Sequence, residues 1–147
     1  MKRIVEAKKL FEYTEATDLK KLKSTYRNLI KENHPDKFTD EDQKEAAEIQ
    51  SKHIIEAYHL LVSTHPETQA ANLEEYTKTV NEATIDDYQY KQSNLKITFT
   101  DGSVYEYFGV PKNVYNKLNS APSLGRFARR HVFHSFIYRN LNKEFKS

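Results

Sequence analysis

The chain has 147 residues, a net charge of +2, 37% hydrophobic and 12% aromatic content, three glycines and no cysteine. This is enough apolar material for one or two small cores, and it excludes a disulfide-stapled scaffold and a cysteine-based zinc module. No stretch approaches the ~18 apolar residues of a membrane span, and residues 1–11 lack the apolar centre of a signal peptide, so a soluble, cytoplasmic protein with no membrane contact is expected.

The first strong pattern is helical. Leu19, Leu22, Tyr26, Leu29 and Ile30 recur at spacings of three and four, which draws one apolar stripe. Lys20, Lys23, Arg27 and Lys31 draw a cationic stripe beside it. Thr17 and Asp18 supply an N-cap, and the basic residues near the far end suit the helix dipole. Pro35 disfavours the helical region for the residue before it, so this helix must stop near Asn33 and leave His34 and Asp36 on a tight loop. Thr39-Asp40-Glu41-Asp42 then starts another helix, with Ile49, His53, Ala57, Leu60 and Leu61 as its inward stripe until Pro66. The expected unit is an antiparallel helical hairpin with His34-Pro35-Asp36 at its tip. Taken singly, the triplet reads as a turn and the cationic stripe as a solvated face. Their joint occurrence between matched helices favours a surface built to engage a partner.

Lys23-Ser24-Thr25-Tyr26-Arg27-Asn28-Leu29, His34-Pro35-Asp36-Lys37 and Glu56-Ala57-Tyr58 before Leu60-Leu61 resemble the J domain of the DnaJ co-chaperone family over about residues 4–64. That resemblance implies docking on a DnaK-type chaperone and stimulation of its ATP hydrolysis. His34, Pro35 and Asp36 would be the trigger, and Lys23, Tyr26, Arg27 and Lys31 the docking face. Family members commonly place a Leu-Gly pair between the first two helices, where this chain has Phe11-Glu12-Tyr13-Thr14. A differently shaped turn is therefore expected. No Gly/Phe-rich stretch follows the hairpin, so client selection must lie elsewhere.

Residues 66–83 show Ala70, Leu73, Tyr76 or Thr77, and Val80 at helical spacing behind Pro66, which predicts a helical connector. The organisation expected is a helical domain over 1–65, this connector, and an α+β domain over 84–147. Charge divides along the same line: residues 1–82 carry 13 Lys/Arg against 16 Asp/Glu, and residues 83–147 carry 10 against 5, so the halves should meet different partners.

After the connector the period changes to two. Leu95, Ile97 and Phe99 alternate with Lys96, Thr98 and Thr100, Asp101-Gly102 interrupts, and Ser103 to Phe108 resumes with β-branched and aromatic residues. Tyr88 and Tyr90, before Gln92-Ser93-Asn94, suggest one more strand. Pro111 opens a short helix through Leu118, and Ser123 caps another that carries Leu124, Phe127 and Ala128. The fold class expected overall is α+β.

Asp101-Gly102-Ser103-Val104-Tyr105-Glu106-Tyr107-Phe108-Gly109-Val110-Pro111, with Ala121-Pro122-Ser123, Gly125-Arg126-Phe127 and His131, resembles the KTSC domain over about residues 85–138. That resemblance implies only a suspected role in RNA binding. If Asp101-Gly102 is a two-residue turn, Phe99 faces Val104, and Tyr105 and Tyr107 share a face with Lys96 and Thr98. Those rings, with Arg126, Arg129, Arg130 and Arg139, would form a surface able to stack bases and hold phosphates. A bulged turn would instead send both tyrosines inward, and docking of a client protein on the same surface is equally allowed.

Catalytic signals are weak. His131 and His134 stand three apart without a nearby carboxylate or thiol to complete a metal set, and no nucleophile elbow or Gly-rich phosphate loop is present. His53, His59 and His65 read as one inward and two polar residues of a single helix. The expectation is a monomeric, non-enzymatic DnaJ-type co-chaperone without cofactor or metal. Its second module would serve targeting or client or RNA binding. The rival expectation is an RNA-associated adaptor whose hairpin is only a scaffold.

Overall fold

Local signals account for most helix boundaries. In the computed structural model, which describes residues 1–142, α1 runs Lys2–Leu10, α2 Leu19–Glu32 and α3 Glu41–Thr64. The Asp18 carboxylate accepts from the Lys21 N–H at 2.8 Å and that of Asp40 from the Gln43 N–H at 3.3 Å, which satisfies amides that a helix start leaves orphaned. Residue contacts divide the described residues into two compact units, one over Lys2–Glu67 and one over residues 68–142.

In the first unit α1 and α2 both pack on α3. Leu22 and Ile54 are fully buried, each contributing about 1.5–3 kcal/mol relative to an exposed side chain. Tyr58 of α3 stacks at 4.2 Å on Tyr26 and at 6.3 Å on Phe11, so one ring column ties together α2, α3 and the end of α1. The inward stripe of α3 differs from the one expected. Ile49 is 53% exposed and His53 is exposed, whereas Ala47, Ile54, Ala57, Tyr58 and Leu61 point in. Spacings of three and four starting at Ile49 and at Ala47 fit equally well in the sequence. The aromatic column selects the phase that buries Tyr58.

Glu12 stands where the J-domain resemblance places glycine, and its φ is +51°, the left-handed region glycine favours. The Tyr13 N–H donates to the Lys8 carbonyl at 2.8 Å and the Glu12 N–H to the Lys9 carbonyl at 3.2 Å, the paired bonds of a Schellman cap. The turn is thus a glycine-type cap carrying a glutamate.

The connector is α4, Pro66–Glu82, and from Thr68 onward it belongs to the second unit. A four-stranded antiparallel sheet comes next, in the order β1 (Ile85–Lys91), β2 (Asn94–Phe99), β3 (Val104–Phe108), β4 (Ile137–Asn140), with α5 (Lys112–Ser120) and α6 (Leu124–His131) inserted before β4. The fold class is α+β. The first hairpin turns on Gln92 and Ser93, both at positive φ (50° and 66°), as a two-residue type I′ turn requires. The turn falls in the turn-like segment Gln92-Ser93-Asn94 that precedes β2, although neither Gln92 nor Ser93 is a glycine. The four-residue β4 escaped the sequence reading because so short a run has no visible period.

The second hairpin overturns the expected register. The Gly102 N–H donates to the Phe99 carbonyl at 3.0 Å, the Phe99 N–H to the Ser103 carbonyl at 2.8 Å, and Gly102 has φ +89°. The loop is therefore three residues closed by a left-handed glycine, so Ile97 pairs with Tyr105 and Leu95 with Tyr107. A shift of one residue moves every side chain to the opposite face. Tyr105 and Tyr107 are 2% and 0% exposed and belong to the core.

Candidate functional site

The first candidate is the corner between α2 and α3. Asn33 ends α2, its backbone and side-chain N–H groups both donating to the Leu29 carbonyl at 3.1 and 2.8 Å. Ser51 of α3 donates its hydroxyl proton to the Asn33 carbonyl at 3.2 Å and so ties the loop's entry to the helix beneath it. His34 then caps a single 3₁₀ turn, Pro35–Lys37, whose bonds run from the Lys37 N–H to the His34 carbonyl and from the Phe38 N–H to the Pro35 carbonyl.

His34 Nδ1 accepts the Asp36 backbone N–H at 3.2 Å. With its lone pair so used, Nδ1 carries no proton, and the Asp36 carboxylate oxygen 3.5 Å away receives nothing from it. The ring therefore serves the backbone of the corner, and the carboxylate, 92% exposed, keeps its lone pairs for a partner. Such an acid can take a bidentate guanidinium, and the proline leaves little entropy to lose on binding.

Lys20, Lys23, Arg27 and Lys31 are exposed along α2, and among the described residues none of them makes an ion pair. Tyr26, expected on the docking face, is instead buried beneath it and stacked on Tyr58. It supports the cationic stripe from below. Burial raises the Tyr58 phenol above its ordinary value, with Tyr26 adding to the shift and Arg27 opposing it. Asn33 and Ser51 are positioning residues that sequence reading missed. An Asn at a helix end before a proline loop was the available signal.

A second missed feature braces the start of α2. Among the three histidines of α3 and its cap, His65 is the inward one, not His53. Its Nε2–H donates to the Thr17 carbonyl at 2.7 Å, its Nδ1 accepts the Glu67 N–H at 3.0 Å, and the Glu67 carboxylate accepts the Leu19 N–H at 3.1 Å.

The second candidate surface lies in the other unit. With Tyr105 and Tyr107 buried, the expected stacking platform is absent from the sheet. The tyrosines instead form a hydrogen-bonded stack. Tyr107 donates to the Tyr76 hydroxyl at 3.0 Å, Tyr76 donates to the Phe133 carbonyl at 2.6 Å, and Tyr138 stacks on Tyr76 at 3.8 Å. Desolvation pushes Tyr138 up to about 12 and holds Tyr76, Tyr105 and Tyr107 above the ordinary phenol value. On the other face of β3, Glu106 is paired with Arg139 at 2.8 Å, which removes Arg139 from the free cations. Arg126, Arg129 and Arg130 remain exposed on α6. His134 sets its ring edge against Tyr76, and the His131 ring lies 4.7 Å from Phe127. No helix among the described residues is long and apolar enough to cross a membrane.

Residues 82–136 match the KTSC domain family model, and the second unit contains that domain. The chain is similar to Lysine--tRNA ligases of Trichormus variabilis, 38% identical over 60 residues (40% of this chain, 11% of that protein), and Nostoc punctiforme, 40% over 55 residues (37% and 10%). It is also similar to the DnaJ protein homolog XDJ1 of Saccharomyces cerevisiae, 42% identical over 48 residues (33% of this chain, 10% of that protein). Each match thus spans about a tenth of the relative's length.

Proposed function

We propose that the chain is a DnaJ-type co-chaperone whose first unit docks on a DnaK-class ATPase and stimulates its ATP hydrolysis, while the KTSC-bearing unit decides where this happens. The observation that carries the reading is an exposed Asp36 carboxylate on a proline-stiffened corner, beside a helix face whose cations make no ion pair among the described residues. Similarity to a DnaJ protein homolog supports the kind of partner. Lys23, Arg27 and Lys31 would speed encounter with an acidic surface at a salt-dependent rate, and Asp36 would then engage a cation of the ATPase. His34 would hold the corner in shape. ATP turnover would belong to the partner, and this chain would act as a cytoplasmic monomer without catalytic group or cofactor of its own.

A single-turnover ATPase assay with a DnaK-class chaperone tests this. Asp36→Asn removes the charge-assisted bond, worth about 1.5–3 kcal/mol, and should lower stimulation by roughly tenfold or more while leaving the far-ultraviolet circular dichroism unchanged. His34→Gln should also lose stimulation, because the backbone bond at 3.2 Å goes with the ring. Full stimulation by both variants would reduce the hairpin to a scaffold.

A further inference from the structure

In the first unit a cavity of about 240 Å³ lies between α1 and α3 and takes no wall from α2. Ala7 and Leu10 of α1 with Ala57 and Leu60 of α3 line it, and all but the half-buried Leu10 are buried, so they form an apolar floor. Glu6, Glu56, Arg3 and His53 line it as exposed residues and form the rim. Helical spacing produces the groove: Arg3, Glu6 and Leu10 stand three and four apart on α1, and His53, Glu56 and Leu60 three and four apart on α3. Ile49, one turn before His53, is exposed and carries the α3 stripe beyond the cavity with an aliphatic side chain.

Charge gives the groove a direction. Glu6 and Glu56 come from different helices, and among the described residues neither makes an ion pair. Two carboxylates on the rim of one small cavity repel each other, and a cation placed between them would relieve that repulsion. From Glu41 to Glu56, α3 carries five acids against Lys44 and Lys52, so acids predominate on that wall. Arg3 stands about two turns before Leu10, so along α1 the wall passes from basic through acidic to aliphatic. The cavity is smaller than the roughly 300–1,000 Å³ that encloses a whole small ligand. It therefore suits side chains of a larger partner whose backbone stays outside.

We propose that the α1–α3 groove docks a cationic amphipathic helix of a partner protein, which sets an aliphatic side chain on the Ala7, Ala57 and Leu60 floor and a Lys or Arg between Glu6 and Glu56. From Ile49 to Leu60 the α3 wall spans about 16 Å, the length of three helical turns, over which apolar anchors three and four residues apart engage a groove. The basic residue would lay its methylene stem along the floor and lift its charged head to the carboxylates. An acidic segment would meet Glu6 and Glu56 as like charges and be rejected. The groove shares no residue with the His34–Asp36 corner or the cationic face of α2, and the proposal does not rest on the co-chaperone reading.

Fluorescence anisotropy with the full chain tests the proposal, using a labelled helical peptide of leucine and lysine with the leucines three and four residues apart. Two further peptides of equal length replace every leucine with glutamine or every lysine with glutamate. The leucine–lysine peptide should bind saturably. Loss of its leucines should weaken binding by about tenfold or more, and reversal of its charge by at least as much. Glu6→Gln with Glu56→Gln should weaken binding of the leucine–lysine peptide by about fivefold or more. The exposed pair Glu15→Gln and Glu48→Gln removes as much charge outside the groove and should cause a loss of less than about twofold. The proposal is overturned if the leucine–lysine peptide does not bind, if either altered peptide binds as well, or if the two double variants lose equally.

Discussion

Two corners of this molecule look alike on paper and behave in opposite ways. His34-Pro35-Asp36 and Thr100-Asp101-Gly102 are both short reversals that carry an acid and a residue with restricted or unusual backbone preference. At the first, the proline and the two N-caps leave the chain one course, and the side chains that matter are displayed whatever the rest of the fold does. At the second, a loop of two or three residues is locally acceptable, and the choice decides which face of β3 is buried. The lesson is that exposure on a helix-flanked loop is a local property, whereas exposure on a strand is a property of register.

The sharpest way to break that comparison is to cut into the core that the register created. Tyr107→Ala removes a fully buried ring and should destabilise the second unit by about 3–5 kcal/mol, measured by urea unfolding with amide exchange in β2. A loss no larger than that of a surface substitution would mean the tyrosines face solvent after all.

Tyr76→Phe refines the same point, because it keeps the ring and removes only the hydroxyl. The Phe133 carbonyl and the Tyr107 hydroxyl would lose their shared partner, which should cost about 1–3 kcal/mol by the same measurement.

Alkaline pH probes the stack without mutation. Tyr138 is raised to about 12, and Tyr76, Tyr105 and Tyr107 lie above the ordinary value of 10.0, so the unfolded chain releases these protons first as pH rises. Stability from this source is fully present below pH 10 and is lost as pH climbs through 10 toward 12 and beyond. Exchange in β2 should therefore accelerate above pH 10 more than the intrinsic chemical rate does, with a smaller acceleration in Tyr76→Phe.

The smallest effect is expected where the first unit is locally strained. Glu12→Gly replaces a side chain at φ +51° and should raise the stability of the first unit by about 0.5–1 kcal/mol in thermal unfolding. A destabilised variant would show that the glutamate compensates its backbone through contacts of its own.

Much of the candidate site was legible because its determinants are close in sequence. Asp18, Pro35 and Asp40 set the helix boundaries through neighbours no more than four residues away, and the cationic stripe of α2 follows from helical period alone. The Ser51 bond to Asn33 and the His65 bond to Thr17 join residues 18 and 48 positions apart, and nothing in either local pattern announces them.

By itself, then, the amino-acid order determined the kind and succession of the helices and strands other than α1 and the short β4, the exposed corner, and the excess of positive charge in the second half, since each depends on short-range sterics, capping or plain counting. The tertiary structure alone decided which phase of α3 packs inward, which of its histidines is the brace, and which way Tyr105 and Tyr107 point. Those choices lie between alternatives nearly equal in local energy. The tie is broken by packing partners from distant segments: Tyr58 stacked on Tyr26 and Phe11, and Tyr107 bonded to Tyr76.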